Sequence, residues 1–334
     1  MKNSIAIIVL TWNDYNNTVE CIKSIAPHLN KNTKLFLIDN NSNLKIYKKL
    51  LRWISKNYKK NYLNLNLKKN IKKNLFKINQ NIFSFQNNKN LGCGLGHNIG
   101  YKFALNNNFK FIARIDNDMV IKDKFFFKKI LKNFNNPRVQ CVSPKIMYFN
   151  QPNNIWWRGT SIGNSLKFQT HMRDYKYGEI DNEKIRGVIN TDAVAGCASV
   201  MRGSALKKSG LSDPDFFYGP EDVEFSQRIK NKTKGLLKVD LNLKIYHKVT
   251  QSFRSNSYRR IYFEYKYRLL LINKIGNIYD KLFGYSVSII KYLVYCMLFL
   301  SNKHKNKIEP VGKALIDYFI LNRLGKFDRK QNNK

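Results

Sequence analysis

The sequence predicts an α/β fold in which strands and helices alternate around one sheet. An apolar strand, an amphipathic helix and a second strand ending in an acid follow one another over residues 4–39, as in a nucleotide-binding βαβ unit. Farther along, an apolar run ends abruptly in Asp116-Asn117-Asp118. Ligands of open α/β sheets bind outside the carboxyl ends of the strands, where two carboxylates suit a divalent cation that also holds phosphates. Taken alone, the motif also fits a polar turn after a core strand.

Length and composition allow one large α/β domain with an appendage, or two domains. The chain has 334 residues, of which 43% are hydrophobic and 13% aromatic, enough for a sizeable core. The formal net charge of +38 indicates an anionic partner: nucleic acid, an anionic membrane surface or a phosphorylated substrate. Codon bias from an A/T-rich genome is an equal explanation of the abundant Lys.

The cysteines and the amino terminus indicate the cellular compartment in which the protein is expected. The 5 Cys residues include no C-x-x-C pair, which favours free thiols in a reducing environment. No signal peptide is recognisable, because the apolar run Ile5–Leu10 is short and continues directly into a polar loop. We therefore expect a cytoplasmic protein.

Residues 1–120 are predicted to form a nucleotide-binding half. Four apolar runs are predicted as strands, namely Ser4–Leu10, Lys34–Ile38, Ile82–Phe85 and the run that ends at Asp116. The first helix is predicted to have an Asn17 cap with Glu20 three residues later, and Leu44–Ile54 to form the second. The Lys/Asn-rich tract at 57–77 is predicted to be a solvated insertion.

Glycines between Asn90 and Gly100 precede a predicted helix at Tyr101–Asn107. Such glycines let backbone N–H groups approach an anion, although their spacing is not that of a dinucleotide fingerprint.

Residues 121–255 alternate further between predicted helices and strands. These elements are Phe125–Phe134, Val139–Ser143, the short helix Ser204–Ser209 ended by Gly210, a helix from Glu221 to about Lys230, and the strand Leu236–Asp240. The stretch Asn150–Lys184 is predicted to fold irregularly over a substrate rather than to join a sheet. The small residues of Thr191–Met201 predict a strand or a floor against which another element packs closely.

Residues 256–334 are predicted to form a basic helical extension. Within it, Leu282–Leu300 is mostly apolar but contains Lys291 near its centre, where a charge is costly in a bilayer. We favour a helix that lies in the membrane interface over a packing helix of a soluble protein, and both over a true span. The expected place of the protein is thus peripheral, on the inner face of the cell membrane.

An ordered series of motifs runs through residues 4–255. It comprises Thr11-Trp12-Asn13, Asp39-Asn40-Asn41-Ser42, Asn90-x-Gly92, Asn98-x-Gly100, Asp116-Asn117-Asp118, Ala195-Gly196-Cys197-Ala198, Phe216-Phe217-x-x-x-Glu221-Asp222-x-Glu224 and His247. This succession resembles the family 2 inverting glycosyltransferases, and within them the rhamnosyltransferase-like branch.

The resemblance implies a GT-A fold, with a Rossmann-like mixed sheet flanked by helices and an acceptor-binding half at residues 121–255. It implies that Thr11, Asp39, Asn90, Asn98 and Asp116 bind the nucleotide-sugar. It further implies the following roles: Mg²⁺ or Mn²⁺ ligands for Asp116, Asp118 and His247, the catalytic base for Asp222 with Glu221 positioning it, and acceptor contacts for Asp192 and Trp157.

The implied chemistry suits these residue types. A divalent cation stabilises the charge of a departing nucleoside diphosphate, and a carboxylate removes the proton of a sugar hydroxyl as it attacks. The donor expected from the branch is a dTDP- or UDP-sugar such as rhamnose. The expected acceptor is a glycan or lipid-linked glycan of a surface polysaccharide, such as lipopolysaccharide or capsule.

Alternatives stay open for single residues and for the whole chain. Asp39, Asn98, Glu221 and Asp222 also suit helix starts, and His247 and Asp192 also suit structural positions. As a class, a basic nucleic-acid-binding protein is the second hypothesis, although no zinc, RNA-recognition or helix-turn-helix signature is present. A non-catalytic membrane scaffold with a decayed transferase domain is the third.

Overall fold

The computed structural model describes residues 4–65, 79–162, 173–174, 178–249, 258–298 and 305–331. Most of the predicted insertion at 57–77, and a large part of the predicted irregular stretch at 150–184, lie outside the described residues.

The strands of the described residues are β1 (Ile5–Thr11), β2 (Thr33–Asp39), β3 (Tyr62–Asn64), β4 (Ile82–Gln86), β5 (Phe111–Asp116), β6 (Met119–Val120), β7 (Val139–Tyr148), β8 (Asn154–Trp157), β9 (Thr160–Ser161), β10 (Arg173–Asp174), β11 (Glu179–Ile180), β12 (Val188–Asn190), β13 (Ala198–Arg202) and β14 (Leu236–His247). The helices are α1 (Tyr15–Ile25), α2 (Leu44–Tyr58), α3 (Cys93–Asn106), α4 (Phe126–Lys132), α5 (Gly203–Ser209), α6 (Glu221–Thr233), α7 (Tyr258–Ile275), α8 (Ile278–Met297), α9 (Lys305–Phe319) and α10 (Gly325–Gln331).

One mixed sheet organises these elements, as the sequence predicts. Its strand order is β11-β8-β7-β13-β5-β1-β2-β4-β3, and β14 pairs with β7, β6 and β12. Strands β5, β1, β2 and β4 are mutually parallel, whereas β13 runs antiparallel to β5. Register pairs Thr11 with Asp39 and Leu10 with Asp116. The three predicted donor-binding residues at strand ends therefore lie at one edge of the sheet.

Helices cover both faces of the central strands, which explains their continuous apolar sequence. In β1, the side chains of Ile5, Ile7 and Val9 join one buried cluster. The alternate residues Ala6 and Ile8 join a second cluster on the opposite face. The period of two along a strand thus divides one apolar run between two cores.

Helix α3 packs on β1 through its glycines and starts earlier than predicted, at Cys93 instead of Tyr101. A Cβ atom at Gly100 would lie 2.4 Å from Ile8 Cγ2, and one at Gly96 would lie 2.7 Å from Leu10 Cδ1. The glycines therefore allow a close helix–strand contact that a larger residue would prevent.

Three further expectations about local structure are wrong. The cap of α1 is Asp14, whose carboxylate accepts from the backbone N–H of Asn17, so the helix begins before the expected Asn17 cap. Part of Asn150–Lys184 does join the sheet, because β8 pairs antiparallel with β7. Strand β14 extends through His247, which the sequence placed beyond the strand.

The helix α7 shares a hydrophobic cluster with the chain before α6. In this cluster Phe216 and Phe217 pack with Phe263 and Tyr267. Polar contacts join α7 to the later helices: Lys266 contacts Asp328 of α10, and Tyr262 donates to Asp317 of α9 at 2.6 Å. The proposed boundary at residue 255 stays a prediction, but α7 is packed against the sheet-bearing part of the chain.

Within the described residues, none of the helices combines the length and the apolar character that crossing a bilayer requires.

The buried Lys266–Asp328 pair yields a stability prediction. Both side chains are almost fully buried, and Tyr267 also donates to Asp328. Lys266→Ala leaves a carboxylate buried without its cation, which costs about 3–5 kcal/mol. The exposed Lys129–Asp123 pair supplies the control, because Lys129→Ala should change stability by only about 0–1 kcal/mol. Urea unfolding of both variants measures the difference, and equal losses would contradict the assigned role of Lys266.

Candidate active site

Three adjoining cavities open at the carboxyl edge of the parallel strands. The first has a volume of about 190 Å³ and is lined by residues that include Thr11, Trp12, Asn90, His97 and Arg259. The second, of about 410 Å³, is lined by residues that include Cys93, Arg114, Glu221, Asp222, Glu264 and Arg268. The third, of about 730 Å³, is lined by residues that include Asp118, Trp156, Trp157, Asp222, His247 and Arg260. Asp116 and Tyr218 line all three, so the cavities meet at the end of β5.

Asp116 lies among groups that almost contact its carboxylate. Its Oδ1 atom is 3.6 Å from His97 Nε2 and 3.9 Å from Arg114 Nε. All three of these atoms are buried and have no hydrogen-bond partner in the described residues. The backbone N–H of Asp116 donates to Cys197 O at 2.8 Å, which fixes the main chain while the side chain remains available.

The surroundings of Asp116 set the charge of the site. Burial raises the pKa of the Asp116 carboxyl to about 6, against the opposing effect of Arg114, and the Asp118 carboxylate adds to the increase. Burial, followed by Arg114, lowers the pKa of His97 well below its usual value, so its imidazole is neutral. Its Nδ1 is 2.9 Å from Cys93 O, a distance that suits an Nδ1–H donor and leaves Nε2 as an acceptor facing Asp116.

The predicted metal ligands Asp116, Asp118 and His247 all line the third cavity. The Asp118 Oδ2 atom is 3.2 Å from His247 Nε2, and the His247 ring meets Trp156 edge to face with centroids 4.5 Å apart. Among the described residues, no three or more His, Cys, Asp or Glu side chains are grouped closely enough to hold a metal ion. The residue types nevertheless suit a divalent cation, because two carboxylates and an imidazole line one cavity and Asp116 Oδ1 has no partner among the described residues.

Glu221 and Asp222 are the first two residues of α6, and their side chains lie in different environments. Glu221 is buried and accepts from Arg114 Nη2 at 3.1 Å. Asp222 is half-buried and accepts from the backbone N–H of Gly196 at 2.9 Å. A Cβ atom at Gly196 would lie 2.9 Å from the Asp222 carboxylate. The predicted floor at 191–201 therefore does receive a closely packed group, which is Asp222 itself.

Two of the predicted donor-binding residues do not line the cavities. Asn98 exchanges two hydrogen bonds with the backbone of Ser212, each of 2.9 Å, and so joins α3 to a later loop. Asp39 is buried at the end of β2, where it accepts from the N–H of Ser42 and from Gln86. Burial raises the pKa of Asp39, and its Oδ2 atom has no partner in the described residues.

The two predicted acceptor residues are separated. Trp157 lines the third cavity and donates to Thr160 Oγ1 at 3.1 Å. Asp192 lies at a different, smaller cavity of about 220 Å³, where it pairs with Lys230 at 2.8 Å. The structure therefore groups Trp157, but not Asp192, with Asp222.

Several lining residues escaped the sequence analysis. They are Arg114, His97, Tyr218 and, from α7, Arg259, Arg260, Glu264 and Arg268. Arg114 interrupts an otherwise apolar strand, which is the one signal that marked it in advance. Tyr218 occupies an unspecified position within the Phe216–Glu224 motif, whereas the α7 residues lie beyond the end of the motif series.

Comparison with known proteins agrees with this geometry. The sequence model of the family described as "Glycosyl transferase family 2" matches residues 6–208. No curated protein was found to match the sequence.

Two solved structures share the fold. The crystal structure of GalNAc-T7 with UDP, GalNAc and Mn²⁺ has a TM-score of 0.60 and 15% identity, covering 84% of this chain and 49% of that one. The mannosyltransferase PcManGT from Pyrobaculum calidifontis, in complex with GDP-Man and Mn²⁺, has a TM-score of 0.55 and 12% identity, covering 93% of this chain and 73% of that one. The chain thus spans about half the length of the GalNAc-T7 chain. Together with the mixed sheet, these likenesses confirm the predicted GT-A-like fold.

Gly92 offers a test of how the cavity wall is built. It has φ of +78°, and a Cβ atom there would lie 2.4 Å from the backbone oxygen of Phe217. Gly187 has φ of +94°, but a Cβ atom there would meet no described atom within 4 Å. Both Gly→Ala changes strain the backbone by about 1–3 kcal/mol, and Gly92→Ala should cost roughly 1–3 kcal/mol more through overpacking. Unfolding measurements on both variants test this, and equal costs would show that the Phe217 loop moves freely.

Proposed function

Since the chain belongs to glycosyl transferase family 2, we propose that it is a metal-dependent, inverting transferase. In this proposal it moves a sugar from a dTDP- or UDP-sugar, such as rhamnose, to a hydroxyl of a glycan or lipid-linked glycan. The observation that carries the proposal is the presence of two pairs of carboxylates in one cleft. Asp116 and Asp118 stand at the end of β5, and Glu221 and Asp222 stand at the start of α6.

The donor would occupy the first and second cavities. The nucleoside would lie in the 190 Å³ cavity beside Thr11, Trp12 and Asn90, with its diphosphate directed towards Asp116. The sugar would then enter the 410 Å³ cavity, between Asp116 and Asp222. Arg259 lines the 190 Å³ cavity and Arg260 the 730 Å³ cavity, and their guanidinium groups suit phosphate oxygens.

Asp116, Asp118 and His247 would hold a divalent cation. When bound, the cation would supply positive charge that stabilises the leaving nucleoside diphosphate. Both similar structures were solved with Mn²⁺, one with UDP and one with GDP-Man. Those ligands belong to those proteins and here only support the proposed class of donor.

Asp222 would act as the base. It lines both the sugar cavity and the 730 Å³ cavity, so its carboxylate can accept a proton from a hydroxyl that enters from the latter. The N–H of Gly196 holds the carboxylate in place. If the hydroxyl that Asp222 deprotonates attacks from the face opposite the leaving diphosphate, a single displacement would invert the anomeric centre. Trp156 and Trp157 provide aromatic surface for an acceptor.

The site disfavours the two alternative classes. A nucleic-acid backbone would meet four carboxylates in this cleft, which oppose phosphate binding in the absence of a cation. A decayed, non-catalytic domain is under no structural constraint to keep Asp116, Asp118 and Asp222 in the lining of one cavity.

Mutations in the two pairs of carboxylates should have different effects. Asp118→Asn should abolish metal-dependent donor binding, and with it both transfer and slow donor hydrolysis, because a cation ligand is lost. Asp222→Asn should bind donor and metal nearly as well as wild type, while transfer falls about 10²–10⁴-fold, the usual contribution of a general base. Calorimetry of donor binding, with Mn²⁺ or Mg²⁺ and with EDTA, beside a transfer assay measures both effects.

Controls make the assignment specific. Asp123→Asn removes an exposed carboxylate outside the cleft that pairs with Lys129, and it should leave donor binding and transfer unchanged. Loss of donor binding in Asp222→Asn would contradict the assigned role. An inactive Glu221→Gln beside an active Asp222→Asn would transfer the role of base to Glu221.

A further inference from the structure

Helix α8 is amphipathic in the opposite sense from a helix of a soluble protein. Its buried residues are Asp280, Gly284 and Ser288, which are polar or small. Apart from Lys291, its exposed large side chains are apolar, and they recur at helical spacing: Ile278, Tyr279, Leu282, Ile289, Ile290, Leu293, Val294 and Met297. A helix normally buries its apolar stripe against the core. The exposed apolar face of α8 is therefore suited to contact with another apolar phase.

The polar side of α8 is nevertheless firmly attached. The hydroxyls of Tyr265 and Tyr295 are 2.8 Å apart and join α8 to α7, while those of Tyr285 and Tyr318 are 3.1 Å apart and join it to α9. An Asn277–Asp280 capping box starts the helix. The outward orientation of the apolar face is therefore fixed by specific contacts.

The exposed end of α9 continues this surface. The ring of Phe319 lies 5.1 Å from that of Tyr285 on α8, and Ile316, Ile320 and Leu321 are also exposed. Of the 20 exposed large hydrophobic side chains in the described residues, 13 fall between Ile278 and Leu321. Monomeric soluble proteins rarely expose apolar side chains in such concentration.

The charge around this surface identifies its partner. From residue 258 to residue 331 the sequence has 15 Lys and Arg against 5 Asp and Glu. Three of those acids, Asp280, Asp317 and Asp328, are buried, whereas Lys291 is exposed on α8 itself. Apolar side chains beside lysines match an anionic lipid surface, in which lysine extends its amine to the headgroups.

We propose that the apolar face of α8, with the end of α9, inserts into the interface of an anionic bilayer. A second copy of the chain fits the face less well, because a two-fold contact would set Lys291 against a surface that also carries lysine. Helix α7 lines the three cavities and contacts α8 through Tyr265, so the cleft would open close to the lipid surface. This docking needs no sugar transfer and is therefore independent of the proposed reaction.

Vesicle co-sedimentation of the full chain tests the proposal. The protein should bind phosphatidylcholine vesicles that contain phosphatidylglycerol, bind pure phosphatidylcholine more weakly, and be released by high salt. The double variant Leu282→Glu/Leu293→Glu should lower the binding constant at least about tenfold, because two inserted side chains are lost. Lys291→Gln should lower binding to the anionic vesicles about fivefold.

Leu44→Glu is the matched control for the apolar residues. Leu44 is 57% exposed on α2, compared with 62% for Leu282 and 50% for Leu293, so its replacement should leave vesicle binding unchanged. Circular dichroism establishes that each variant is folded. Absence of vesicle binding by the wild type, equal binding of the double variant, or a stable dimer that Leu293→Glu dissociates would each overturn the proposal.

Discussion

The buried contact between Arg114 and Glu221 is the interaction on which the site depends. Arg114 lies on β5 and donates to Glu221 of α6 at 3.1 Å and to Cys93 Sγ of α3 at 3.0 Å. A buried guanidinium is tolerated only when it is paired, so β5, α3 and α6 must come together for the fold to be stable. The same requirement brings Asp116 and Asp222 into the lining of one cavity. The stability of the fold and the arrangement of its carboxylates thus have a common cause.

Much of the sheet was predictable because local sequence and tertiary environment agree there. The runs at β1, β2 and β5 are apolar on both faces, and each ends in a polar residue at the ligand-binding edge. Prediction failed at the start of α3, where glycine opposes helix formation by about 1 kcal/mol per residue. Close packing of Gly96 and Gly100 on β1 overrides that preference, and no local pattern announces such a contact.

The same division applies to the candidate site. Asp116, Asp118, Glu221 and Asp222 were recognisable because Asp116 ends a strand with Asp118 just beyond it, and Glu221 and Asp222 open a helix. The residues of α7 that line the cavities were not recognisable, because their place depends on which side of the helix meets the loop at Phe216–Pro220. That loop is brought to α7 by aromatic packing between residues distant in sequence. The apolar character of α8 was evident in the sequence, but its outward direction was not.

The position of α7 has a practical consequence for anyone who shortens this chain. The match to the family model ends at residue 208, ahead of the acidic pair at 221–222 and well ahead of α7. A fragment cloned to that limit would lack Asp222, and one cloned to residue 255 would lose Arg259, Arg260 and Arg268 from the cavity walls. The longer fragment would also uncover Phe216 and Phe217, inviting aggregation during expression. Inactivity of either fragment would therefore show the effect of the truncation, and would say nothing about the activity of the longer chain.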